Sequence, residues 1–185
     1  MPFGSLWLPV VVAAVAVWIV SAILHMALKY HMADYKKLPD EETIAGALRK
    51  ESLAPGYYFL PYTMGSSMKD PAVVKRFQDG PVAFITVLKN GPPAFGKSLG
   101  QWLLLCFLVS FVVAYIARHT LTPATDGLTV MRITGAIAFA GYGLGYLQDS
   151  IWRGIPWSNT LRGIADAIVY AIVTGLVFRW LWPAG

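Results

Sequence analysis

Three His, one Cys and ten carboxylates are the whole stock of groups from which this 185-residue chain can build chemistry. Two of them stand out by position. His25 lies about one turn inside the end of a long apolar run, and Asp166 lies about one turn inside the start of another. An ionisable group within such a run is costly to bury and is a site candidate by default. One turn further in come Ser21 beside His25 and Tyr170 beside Asp166, and i,i+4 spacing keeps each on its neighbour's helical face. Asp149, Arg153 and Arg162 stand somewhat nearer the ends, with Asp149/Arg153 and Arg162/Asp166 again at i,i+4 spacing. Ser21, His25, Asp149, Arg153, Arg162, Asp166 and Tyr170 therefore make a candidate polar cluster, suited to handling a proton or holding a ligand. The plainer expectation is that these groups neutralise one another and fasten helices together, since they lie near the ends of the runs rather than at their centres.

No H-E-x-x-H or G-x-G-x-x-G dinucleotide-binding pattern occurs, and no catalytic residue is assigned. The His spacing argues against a metal and against haem. His31 follows His25 by six residues, which is about 240° round a continued helix. His119 stands beyond the far end of the second apolar run. No two of these side chains are expected to share an iron, no metal site is expected, and the identity of any other cofactor stays open. Cys106 lies alone in the middle of a run and reads as a small packing residue.

The elements that must position the cluster are the apolar runs themselves, at 6–28, 99–117, about 129–151 and about 161–182. Roughly 20 helical residues cross a hydrocarbon core of about 30 Å, so each is long enough to span. Composition agrees: 56% of residues are hydrophobic and 14% charged, and the mean hydropathy is +0.55. Disorder, collagen and disulfide scaffolds are excluded together. The expected fold is an all-α integral membrane protein, with four transmembrane helices and a structured α+β cytoplasmic insert between helices 1 and 2. Helix 1 is assigned to 1–28, the insert to 29–97 and helices 2–4 to 98–185. The first run lacks a positive start and is long for a cleaved signal, so it reads as a retained span. Arg132, Asp149, Asp166 and Arg179 fall near the ends of the last two runs and must snorkel or pair.

Orientation follows from the basic residues. Residues 29–97 carry ten of the fifteen Lys and Arg, and Arg153 and Arg162 share their side if there are four spans, against Arg118, Arg132 and Arg179 opposite. The positive-inside rule places the insert in the cytoplasm and both termini outside it, in what reads as a bacterial inner membrane. The uncharged start MPFGS fits an exported N-terminus. Basic residues beside spans meet the needs of topology and anionic headgroups, and no basic stripe interleaved with aromatics suggests nucleic acid.

The insert concentrates seven of the twelve prolines and seven of the ten acidic residues. Pro39 to Lys50 and Asp70 to Gly80 each carry a helix start and stop signal. Gly56 to Tyr62 is aromatic and extended, and Val82 to Leu88 is apolar and β-branched, so the two are suited to pair as a hairpin. Two strands alone are marginal in water, and this apolar surface needs a neighbour. Tyr57, Tyr58, Phe59 and Tyr62 are the candidate docking residues, for the bilayer interface or for another protein. In the last two spans Ala138, Gly141 and Gly145, then Gly163, Ala167, Ala171 and Gly175, permit close helix approach, with Gly141 and Gly145 expected to join spans three and four.

The expected partners are the lipid bilayer and other membrane protein subunits, and the leading functional reading is an accessory or scaffold subunit of a larger membrane complex. A small transporter or channel is one alternative, although no broken-helix repeat supports it. A membrane-embedded enzyme or cofactor site around His25 and Asp166 is the other.

Overall fold

The computed structural model describes residues 3–63, 65 and 68–183, so Met1 and Pro2 of the uncharged start lie outside the described residues. Among the described residues four helices are long and apolar enough to cross a membrane: Gly4–Ala27, Phe95–Thr120, Gly127–Arg153 and Trp157–Trp180. In the first, Pro9 sits in the opening turn of α1 (Trp7–Ala22), where its missing N–H costs no helical bond. Pro9, Ala13, Val17 and Ser21 recur every four residues as the buried stripe, leaving Trp7, Val11, Val15 and Ile19 outward.

The second helix, α4 (Phe95–Thr120), buries Cys106, Val109, Ser110, Val113, Ala114 and Ala117. The third is broken at Leu144 into α5 (Gly127–Gly143) and α6 (Gly145–Arg153), and the fourth is α7 (Trp157–Trp180). Asp126 caps α5 by accepting from the Leu128 and Thr129 backbone N–H groups. Gly154, at φ 68°, ends α6 in the left-handed conformation that favours glycine. The most extensive contact is between α5 and α7, while α1 packs on α4 and α7 and α4 packs on α5.

Small residues make the α5–α7 contact close. A Cβ on Gly135 would lie 3.2 Å from the Ala171 carbonyl oxygen, and one on Gly175 would lie 2.7 Å from that of Met131. The expected Gly141/Gly145 seam is not the one used. A Cβ on Gly141 would meet Val109 of α4, and one on Gly145 would meet nothing within 4 Å. The break at Leu144 turns the two glycines out of a common helical face, and Gly143 meets Ala167 instead.

Residues 37–93 form a separate compact unit, and residues 1–36 belong with 94–185. The segment 29–36, counted with the insert from sequence, thus packs with the helices, because its turn is tied to α7. The unit 37–93 contains α2 (Glu41–Lys50), β1 (Gly56–Leu60), α3 (Pro71–Asp79) and β2 (Ala83–Val87). Asp40 and Asp70 cap the two helices through the backbone N–H groups of Thr43 and Ala72. The strands pair antiparallel, Gly56 opposite Val87 and Leu60 opposite Ala83, with α3 between them rather than a tight hairpin turn. Phe59 stacks on Phe84 at 4.7 Å, and Phe84 stacks on Tyr57 at 5.5 Å.

Candidate functional site

At the end of α1 the helix widens to a π-turn over Ile23–Ala27, and Lys29 then adopts φ 53°. A lysine gains nothing from this left-handed conformation, which stops the helix at once. The chain doubles back as a 3-10 turn, Tyr30–Asp34. His31 therefore comes to lie on His25, ring centroids 4.3 Å apart and planes within 8°. The expectation that these two His point apart rested on a continued helix, and Lys29 removes that premise.

Both imidazoles turn Nε2 toward one oxygen. Asp166 Oδ2 lies 2.8 Å from His31 Nε2 and 3.6 Å from His25 Nε2. The other oxygen, Oδ1, accepts from the Tyr30 hydroxyl. Asp166 is only 2% exposed, so these three side chains are its environment on the open side of α7.

Each Nδ1 is held from behind. His25 Nδ1 lies 3.0 Å from the Ser21 carbonyl oxygen, which can only accept, so that nitrogen carries the hydrogen. His31 Nδ1 lies 2.6 Å from Asp34 Oδ2. Asp34 is itself fixed: Arg162 Nη1 donates to its Oδ1 at 2.5 Å, and Asn159 Nδ2 donates to its backbone carbonyl at 3.0 Å. Burial alone would raise the Asp34 carboxyl, but the hydrogen bonds from His31 and Arg162, and their charges, outweigh it and hold the carboxyl below its ordinary range.

Ser21 serves as a brace. Its hydroxyl donates to the Trp18 carbonyl at 2.8 Å and accepts from Trp102 Nε1 at 2.7 Å, tying α1 to α4 behind His25. Tyr170 is buried one turn below Asp166 with its ring against Trp102 and Tyr142, and its hydroxyl has no hydrogen-bond partner among the described residues. Asp149 and Arg153 pair with each other at 3.1 Å. Arg162 does not pair with Asp166 as its i,i+4 spacing suggests, because its side chain runs outward to Asp34. In the separate unit 37–93, Tyr57 and Tyr62 are exposed, the Tyr58 hydroxyl donates to the Ala54 carbonyl and Phe59 is half-buried on Phe84.

A cavity of about 740 Å³ opens beside the two His, and Asp34, Tyr146, Asp149, Asn159 and Thr160 line it further. Gly163 lets α7 come up against the Tyr146 ring that walls it, since a Cβ there would lie 2.7 Å from Cε1. Tyr30, Asp34 and Asn159 are the site residues that sequence passes over, and His31 is one that the helical spacing sets aside. One signal was available: His31 and Asp34 stand at i,i+3 spacing just past the end of an apolar run. Comparison with protein-family models, curated proteins and solved structures finds no match to this chain.

Proposed function

We propose that this chain is an integral protein of a bacterial inner membrane that works through a ligand-holding site at the cytoplasmic boundary of its bundle, in the class of membrane-embedded enzymes and cofactor proteins. The observation that carries this reading is the convergence of His25, His31 and Asp166, whose ligand atoms lie within 4.8 Å of one another, beside a cavity that the two His line. A pair of groups that only fastened two helices would not need a second imidazole, an ordered turn and open volume beside it. The excess of Lys and Arg at 29–97, 153 and 162 supports placing this end in the cytoplasm.

Native mass spectrometry of the full chain released from mild detergent tests the reading. A bound small species is expected on the parent protein and lost from Ile155→Trp, which fills the cavity from a lining position whose apolar side chain makes no hydrogen bond. A parent protein that carries no bound species from the membrane overturns it.

A second reading, attachment to other subunits of a membrane complex, is favoured by the unit 37–93. Among its described hydrophobic residues Val73 alone is buried, and Tyr57, Tyr62 and Phe84 stay exposed. So little core leaves a two-stranded sheet in need of cover. Replacing Tyr57, Tyr58 and Phe59 together by Ser should release the chain from its assembly on native gels while leaving its insertion intact. Migration of the parent as a lone monomer in several mild detergents would reject this reading.

A further inference from the structure

The geometry points to a mononuclear site for a divalent first-row transition-metal ion, held by Nε2 of His25, Nε2 of His31 and a carboxylate oxygen of Asp166. The inference deepens the ligand-site reading above and rests on it. The three donor atoms already lie within 4.8 Å of one another. Ligands about 2.0–2.1 Å from one ion stand roughly 3.0–3.4 Å apart, so the donors need to draw in by side-chain rotation alone. His25 can supply that movement, because its side chain is 45% exposed and can turn out of the stack on His31.

The outer partners favour an ion over a simple ion-pair lock. A metal-binding imidazole usually donates its second N–H to a carbonyl or carboxylate, which sets the tautomer and aims the free nitrogen. Both His residues have this arrangement, His25 through the Ser21 carbonyl and His31 through Asp34, with Arg162 behind it. With the hydrogen on Nδ1 directed at the Ser21 carbonyl, Nε2 is the His25 atom that faces the Asp166 oxygen 3.6 Å away. That gap exceeds a normal hydrogen bond, and a cation held between the two atoms would draw both inward. Tyr30 anchors Oδ1 of the same carboxylate, which leaves Oδ2 to turn toward the two nitrogens.

Two imidazoles and one carboxylate suit Zn²⁺, Fe²⁺, Co²⁺ or Mn²⁺, and do not suit Ca²⁺ or Mg²⁺, which take oxygen ligands. Three protein ligands leave at least one coordination position open. His25 and His31 also line the cavity, so water or an oxygen of a small polar ligand entering from it would complete the shell.

The test uses the full chain without an affinity tag, in mild detergent, stripped with a chelator and titrated with Co²⁺. One equivalent per chain should give saturable visible d–d absorption, and Zn²⁺ should abolish it stoichiometrically. His25→Ala and His31→Ala should each remove the bands, while Asp34→Asn should keep them with affinity weakened roughly 10- to 100-fold. His119→Ala should bind as the parent does. Circular dichroism and elution position accompany each variant, and Asp34→Asn leaves all three donors in place should an Ala variant fail to fold. No saturable absorption in the parent, or parent-like binding by both His→Ala variants or by Asp34→Asn, overturns the metal site. The bound species lost from Ile155→Trp reports separately on the cavity. If it persists without Co²⁺ binding, the metal is wrong and the ligand site stands; if Co²⁺ binds without it, the metal stands and the cavity ligand is wrong.

Discussion

Arg162 reaches Asp34 and not Asp166, the carboxylate one turn along its own helix: Nη1 lies 2.5 Å from Asp34 Oδ1. The cation of α7 is thereby used to hold the 3-10 turn against the bundle, and the buried carboxylate is left to the two His and Tyr30. Arg162→Met and Asp34→Asn should each lower stability in detergent by about 1–2 kcal/mol, since both groups are largely enclosed. Because they act on one contact, the double variant should lose no more than the worse single one. Additive losses in thermal unfolding would show that the pair is not coupled.

Asp166 offers the sharpest contrast between two substitutions. Leu at this position strands the Tyr30 hydroxyl without an acceptor and removes the carboxylate that both imidazoles face, at a cost of about 3 kcal/mol. Asn keeps one accepting oxygen and should cost clearly less. Equal thermal stability for the parent, Asp166→Leu and Asp166→Asn would mean that water already solvates the carboxylate.

Two glycines of α7 should respond differently to one added methyl. Gly163→Ala collides with the Tyr146 ring and should cost about 1–3 kcal/mol, recovered in part by Tyr146→Val. Gly175→Ala meets the Met131 backbone carbonyl, which no side-chain truncation can move. Its loss should persist in the Met131→Ala background, and recovery there would contradict the close α5–α7 approach.

The cap of α2 should be visible in a pH titration. Hydrogen bonds from the Thr43 hydroxyl and backbone N–H hold the Asp40 carboxyl below its ordinary range. A depressed value in the folded state means that the cap contributes above the ordinary carboxylate range and is lost as pH falls through the lowered one. Carboxyl NMR of the full chain should place the Asp40 midpoint low and move it upward in Thr43→Val. A midpoint indifferent to Thr43 would remove the stated cause.

Orientation has a direct chemical readout. In a Cys106→Ala background, Lys50→Cys should react with an impermeant thiol reagent only after the inner membrane is opened, whereas Thr125→Cys should react in cells whose outer barrier alone is breached. The reverse pattern would turn the bundle over.

How far the site could be read from sequence differs residue by residue. Comparing depths along α1 and α7 puts His25 level with Asp166, and the two stand 3.6 Å apart. The caps at Asp40 and Asp70 follow from side chains that compete for the first turn's N–H groups. Lys29 carried no such signal, because a non-glycine residue enters the left-handed region only when its surroundings outweigh the local preference. His31 was misplaced for that reason alone. Spacing also misled at Arg162, whose long side chain can serve either neighbour, and at Gly141 and Gly145, where a helix break between them undoes a periodic pattern.

The turn at Tyr30–Asp34 sits at a mechanical junction. Only Tyr35 and Lys36 separate it from the unit that begins at Lys37. That stretch is too short to go slack, since two residues span at most about 7 Å. Tension applied to residues 37–93, by an attached subunit or by a lipid surface, is therefore transmitted along the backbone into the turn that carries His31.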